Sequence, residues 1–151
     1  MEVEMSANKR PRVLFVNRCF VKRDDGFFLI IRRSAMDTNN PGKWEVPGGK
    51  VDQGQSLVGA QEREVMEETG LLVRPVHELA TFVSRQITTG RYKDHLYFAL
   101  FSITQLVGGP LQLSEEHSAY AWVTYDELFE YDLTLEVKRA AIVLKDLLIA
   151  A

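Results

Sequence analysis

The chain has 151 residues, 46% of them hydrophobic and 26% charged, with a formal charge of −3 at pH 7. That length supports one domain with a true hydrophobic core, and the acidic balance excludes the basic excess on which non-specific nucleic-acid binding depends. A single cysteine, Cys19, rules out an intramolecular disulfide.

Residues 1–11 are polar and lack the apolar core of a signal peptide; they read as a loose tail ahead of one domain at 12–151. The longest unbroken apolar run, LYFALF, is too short to span a bilayer, so a cytoplasmic protein with no membrane partner is expected. Residues 12–21 read as a strand, in which Cys19 is expected to be a buried, inert thiol. RDDG at 23–26 predicts a turn and 27–33 a second strand, giving a hairpin. The segment SAMDTNNPGKWEVPGG should be mostly loop, with a short strand around 43–46.

Ser56 is a good N-cap, 57–69 holds strong helix formers and no proline, and Gly70 sits where a left-handed C-cap belongs. Apolar-rich runs at 71–84 and 92–103 predict strands, LVGGP at 106–110 a loop, and 117–123 another strand. Thr124 and Glu127 make a T-x-x-E capping box opening a short helix through Glu130. Val137, Ala140, Ala141, Leu144, Leu147 and Leu148 recur at three-and-four spacing, which predicts one amphipathic helix packed on the sheet. Strands interspersed with three such helices predict an α/β sandwich around a mixed sheet.

The helix at 57–69 carries an unusual set of acids. At roughly 100° per residue, Glu68 falls about 40° to one side of Glu64 and Glu67 about 60° to the other. A solvated charged face would account for them, but two local rules oppose it. Glu64 and Glu68 form an unfavourable like-charge i,i+4 pair. Glu67 and Glu68 also occupy the last turn, where the helix dipole disfavours anions by roughly 0.3–1 kcal/mol. A hard divalent cation relieves both, because Mg2+ takes oxygen ligands and leaves positions open for phosphate. Arg63 stands at the margin and can pair with Glu67 across one turn or fix a carboxylate beyond the helix.

The stretch from Gly49 to Leu71 resembles the Nudix box, G-x5-E-x7-R-E-U-x-E-E-x-G-U, where U is a bulky aliphatic residue. Gly49, Arg63, Glu64, Val65, Glu67, Glu68, Gly70 and Leu71 fill their places, and Gln55 alone departs, standing where the box has its first glutamate. NPGKWEVPGGKV, leading into the box, and AYAWVTYDEL, after it, are similar to segments of nucleotide-cleaving members. The resemblance implies a Nudix-type α/β/α sandwich with a mixed β-sheet between helices. It implies a hydrolase using Mg2+ or Mn2+ to split a diphosphate bond in a nucleoside di- or triphosphate or related nucleotide derivative. The partner is then a small molecule and not a nucleic-acid duplex, and a homodimer is left open.

By that analogy Glu64 and Glu68, followed by Glu67, are the metal ligands, and Glu64 also assists proton removal from the attacking water. Arg63 would orient carboxylates, and Gly49 would make the tight turn at the box entrance. Glu116, with Glu115 as its rival, is the candidate acid or base outside the box; an exposed loop carboxylate is the alternative. His117 reads as structural or exposed, and His77 and His95 have no partner motif. Lys43 and Trp44, just ahead of the box, are candidates to contact substrate, against a solvated strand edge and a core aromatic respectively. Arg32 and Arg33 share the first of those alternatives. Gln55 implies reduced activity, and it also supports a second reading, a nucleotide-binding or regulatory module with weakened catalysis.

Overall fold

A computed structural model describes residues 10–150; residues 1–9 of the expected tail lie outside the described residues. Strand β1 (Val13–Lys22) alternates so that Val16 and Phe20 enter one apolar cluster and Cys19 and Val21 another. Strand β2 (Phe28–Arg33) repeats the pattern, with Phe28 and Ile30 on the first side and Leu29 and Ile31 on the second. Strands apolar on both faces belong in the middle of a covered sheet.

That sheet runs β3 (Trp44–Glu45), β2, β1, β6 (Leu96–Gly108), β5 (Leu72–Gln86), with β4 (Gly48–Lys50) also on β1 and β7 (His117–Val123) also on β2. β1 and β6 are parallel and the other pairs antiparallel, so the sheet is mixed. Helix α1 (Leu57–Thr69) covers one face through Val65. Beyond α2 (Tyr125–Leu128), helices α3 (Leu135–Val143) and α4 (Lys145–Ile149) cover the other through Val137, Ala140, Ala141 and Leu148. The result is the expected α/β sandwich. No helix among the described residues is long and apolar enough to cross a membrane.

Local signals placed α1 well. Ser56 Oγ accepts from the Gly59 N–H at 3.0 Å, and Gly70, at φ 75°, donates its N–H to Met66 O. The single predicted C-terminal helix is instead two, because the backbone leaves helical geometry at Leu144 (φ −91°, ψ 11°). Leu144 and Leu148 are both buried in the core across the break. β6 starts at Leu96, later than predicted, because Asp94 takes a positive φ of 71° in the preceding turn and bonds Ile87 O. It then runs past Ile103 to Gly108, pairing with Leu72 and Val73, so the predicted loop at 106–110 begins only at Gly109. Cys19 is buried against the Thr104 hydroxyl, 2.9 Å away, and burial pushes its thiol up to about 12, as an inert thiol requires.

Candidate metal and catalytic site

Helix α1 is pinned at both ends of its inner face. Val65 is fully buried under it, and the Asn17 side chain on β1 donates to Leu57 O at 3.2 Å. This leaves Glu64 and Glu68 facing the backbone of β4. A Cβ added at Gly49 would stand 2.5 Å from the carboxyl carbon of Glu64, so only glycine lets that carboxylate lie where it does against β4. One residue earlier, the Gly48 N–H donates to Glu68 Oε1 at 2.8 Å.

The carboxylates differ in setting. Glu68 is buried, which pushes its carboxyl up to about 8 against the pull of the Gly48 N–H. Burial also raises Glu64, opposed by Arg63, whose Nη2 lies 3.1 Å from Glu64 Oε1. Glu67 is exposed and takes two contacts of 3.2 Å from Arg63 Nη1. Gln55 reaches the same guanidinium: its Oε1 accepts from Arg63 Nη2 at 3.2 Å and from the Asp52 N–H at 3.0 Å. The Asp52 carboxylate stands 3.8 Å from Arg63.

Glu116 enters from the loop before β7 and, though exposed, comes close enough to Glu64 for its charge to raise that carboxyl further. An oxygen of Glu68, one of Glu116 and a ring nitrogen of His117 lie within 4.8 Å of one another. Glu115 makes no hydrogen bond or ion pair among the described residues.

His117 is one of the residues that the sequence undervalued. It is buried, with Nε2 2.9 Å from Glu45 Oε2 and Nδ1 4.0 Å from Glu68 Oε2. Glu45, also buried, is met by Arg18 at 3.1 Å and Arg33 at 3.0 Å. Burial alone would raise Glu45, yet Arg18, the His117 hydrogen bond and Arg33 together hold it down at about 2. Arg33 is therefore no solvated strand edge; it also grips Asp37 at 2.7 Å. The only local signal for this group was an acid inside the apolar strand WEV.

Lys43 and Trp44 both bond to the segment that leads into α3. Lys43 pairs with Asp132 at 2.9 Å, and the Trp44 ring packs edge-on to Tyr131 at 4.9 Å, against the cluster beneath α3. Trp44 N–H donates to Asp132 O, and Trp44 O accepts from Thr134 N–H, so β3 is tied to the segment entering α3. Arg32 donates to Gly42 O at 3.1 Å. Among the described residues, neither Lys43 nor Trp44 bonds to helix α1.

Comparison with known proteins decides the family. The NUDIX domain profile matches residues 15–147. This chain belongs to the NUDIX family. Nucleoside triphosphatase NudI of Escherichia coli K12 is 27% identical over 127 residues, covering 80% of this chain and 89% of that protein. Among solved structures, the MutT protein of Methanosarcina mazei Go1 superposes with a TM-score of 0.77 at 27% identity, covering 92% of this chain and 97% of that one. A C. elegans Ap4A hydrolase, at 18% identity and a TM-score of 0.70, covers 89% of this chain and 97% of its own and shares the fold. As a NUDIX protein with these relatives, the chain is a pyrophosphohydrolase acting on phosphoric anhydrides.

Proposed function

We propose that this NUDIX protein hydrolyses a phosphoric anhydride bond in a nucleoside di- or triphosphate or a related nucleotide derivative, with Mg2+ or Mn2+ held by Glu64, Glu67 and Glu68. The observation that carries this reading is the convergence of Glu64, Glu68 and Glu116 beside the Gly48–Gly49 backbone. The donor set fits a divalent cation: the carboxylates crowd one another, and buried Glu68 has one N–H to offset its charge. Such a cation, when bound, neutralises charge gathering on the phosphate oxygens in the transition state. The similarity to a nucleoside triphosphatase supports a nucleotide with a phosphate chain as substrate.

The protein's own residues supply positioning and proton transfer. Glu64 is held by Arg63 and packed on Gly49, so its carboxylate has little freedom. That fixed position suits it to take a proton from the attacking water as the new P–O bond forms and the anhydride P–O bond breaks. Arg63 braces Glu64, Glu67 and Gln55 together. Glu116 stands across the cluster as a second carboxylate for ligation or proton transfer.

A panel of nucleotides with Mg2+ and Mn2+, read by released phosphate, tests the reading, and Glu64→Gln should lower the best rate at least about a hundredfold. Its melting temperature without metal should hold or rise, because the change relieves the i,i+4 repulsion with Glu68. A metal-free variant that melts far lower would make Glu64 structural. The second reading, a weakened binding or regulatory module, rests on Gln55. It would be favoured by nucleotide binding without turnover in both the natural protein and Gln55→Glu.

A further inference from the structure

We propose that His117 is a nitrogen ligand of the cation site, which shifts this chain's preference from Mg2+ towards first-row transition ions such as Mn2+ and Co2+. The inference rests on the metal-dependent reading above and adds a donor type which that reading does not contain.

Glu45 fixes where the imidazole hydrogen sits. Glu45 Oε2 lies 2.9 Å from His117 Nε2, and the Glu45 carboxylate is also held by the Arg18 and Arg33 guanidiniums at 3.1 and 3.0 Å. A carboxylate flanked by two guanidiniums is ionised and can only accept, so His117 Nε2 carries the hydrogen and donates it. In the neutral ring this leaves a lone pair on Nδ1. That atom is buried, on a side chain 2% exposed, and has no hydrogen-bond partner among the described residues.

The lone pair faces carboxylates. Nδ1 is 4.0 Å from Glu68 Oε2, and a ring nitrogen of His117, an oxygen of Glu68 and one of Glu116 lie within 4.8 Å of one another. The 4.0 Å separation is long for a hydrogen bond and suits two donors around one ion, since ligands at roughly 2.0–2.2 Å from a common metal stand about 3–4 Å apart. A metal-binding imidazole that donates its other N–H to a carboxylate is the recurrent support for such a ligand, fixing tautomer and ring orientation. Glu45 fills that role here. Mixed oxygen and imidazole donors favour later first-row ions over Mg2+, which prefers oxygen alone.

Pulsed electron paramagnetic resonance of Mn2+ titrated into the metal-free full chain reads the ligand directly. The natural protein should show nitrogen modulation from a coordinated imidazole. His117→Gln should abolish it and weaken Mn2+ about tenfold while changing Mg2+ affinity less than about threefold. Glu116→Gln, an exposed change, should weaken Mn2+ and keep the modulation. Bound Mn2+ without nitrogen coupling in the natural protein overturns the proposal, whether or not the variants fold. Coupling that survives in His117→Gln overturns it too, by assigning the signal to His77 or His95. Phosphate release with Mg2+ in either case leaves the hydrolase reading standing.

Discussion

Gln55 Oε1 accepts hydrogen bonds from the Arg63 guanidinium and the Asp52 N–H at 3.2 and 3.0 Å, so the amide holds the geometry a carboxylate would hold and lacks only its charge. Charge-assisted bonds are roughly twice as strong as neutral ones. Gln55→Glu is therefore expected to raise turnover about tenfold, or about 1.4 kcal/mol of transition-state stabilisation. It should also lower the half-saturating Mg2+ concentration, as read by phosphate release across a Mg2+ series. An unchanged rate and metal dependence would detach Gln55 from the working site. Gly49 makes the converse point, because its missing side chain is what matters. In Gly49→Ala the new methyl would collide with the Glu64 carboxylate 2.5 Å away, and the carboxylate must rotate off β4. We expect at least about a tenfold loss of turnover with a nearly unchanged melting temperature; full activity would mean that Glu64 works from another position.

At the scale of elements, helix α1 concentrates acids that only Arg63 relieves from within the helix, with no basic residue in its last turn. Divalent cation should raise the melting temperature by binding the native state, and changing Glu67 and Glu68 together to Gln should remove most of that rise. Equal Mg2+ stabilisation of the double variant, measured by calorimetry, would place the cation elsewhere. α1 was legible from end to end because its determinants are local: Ser56 and Gly70 bond within four residues of themselves. The break at Leu144 was not, since the periodicity of Val137 to Leu148 suits one helix or two and only packing on the sheet separates them. The carboxylates of α1 could be grouped from spacing alone. Glu45 and His117, 72 residues apart in sequence, could not, because strand register brings them together.

On the whole-molecule scale, Glu45 ties four strands: Arg18 comes from β1, Arg33 from β2 and His117 from β7, all onto an acid of β3. Its carboxyl is held at about 2 in the folded protein against an ordinary 4.5. Between those values the unfolded chain binds more protons, so stability rises with pH across that window. The contribution is complete above pH 4.5 and is lost as pH falls towards 2. Glu45→Gln leaves Arg18 without its carboxylate and Arg33 with Asp37 alone, and should destabilise the protein by about 3–5 kcal/mol at neutral pH. Denaturant unfolding should show that deficit shrinking as pH is lowered from 5 towards 2. A deficit independent of pH would trace it to shape and not charge.

The parallel pairing of β1 with β6 also governs the order in which the molecule can assemble. Arg18 and Ser102, joined across it, are 84 residues apart. β4 then lies on β1 through Asn17 and Arg18, and α1 lies on β4. During synthesis the first strand must wait, one edge unsatisfied, until the chain through Gln105 has left the ribosome. Closing so long a loop before any reward is collected slows folding. The acidic helix, complete in sequence by residue 69, therefore has β4 beside it early but on a strand still open at one edge, and cation affinity should emerge with the final collapse and not with helix formation.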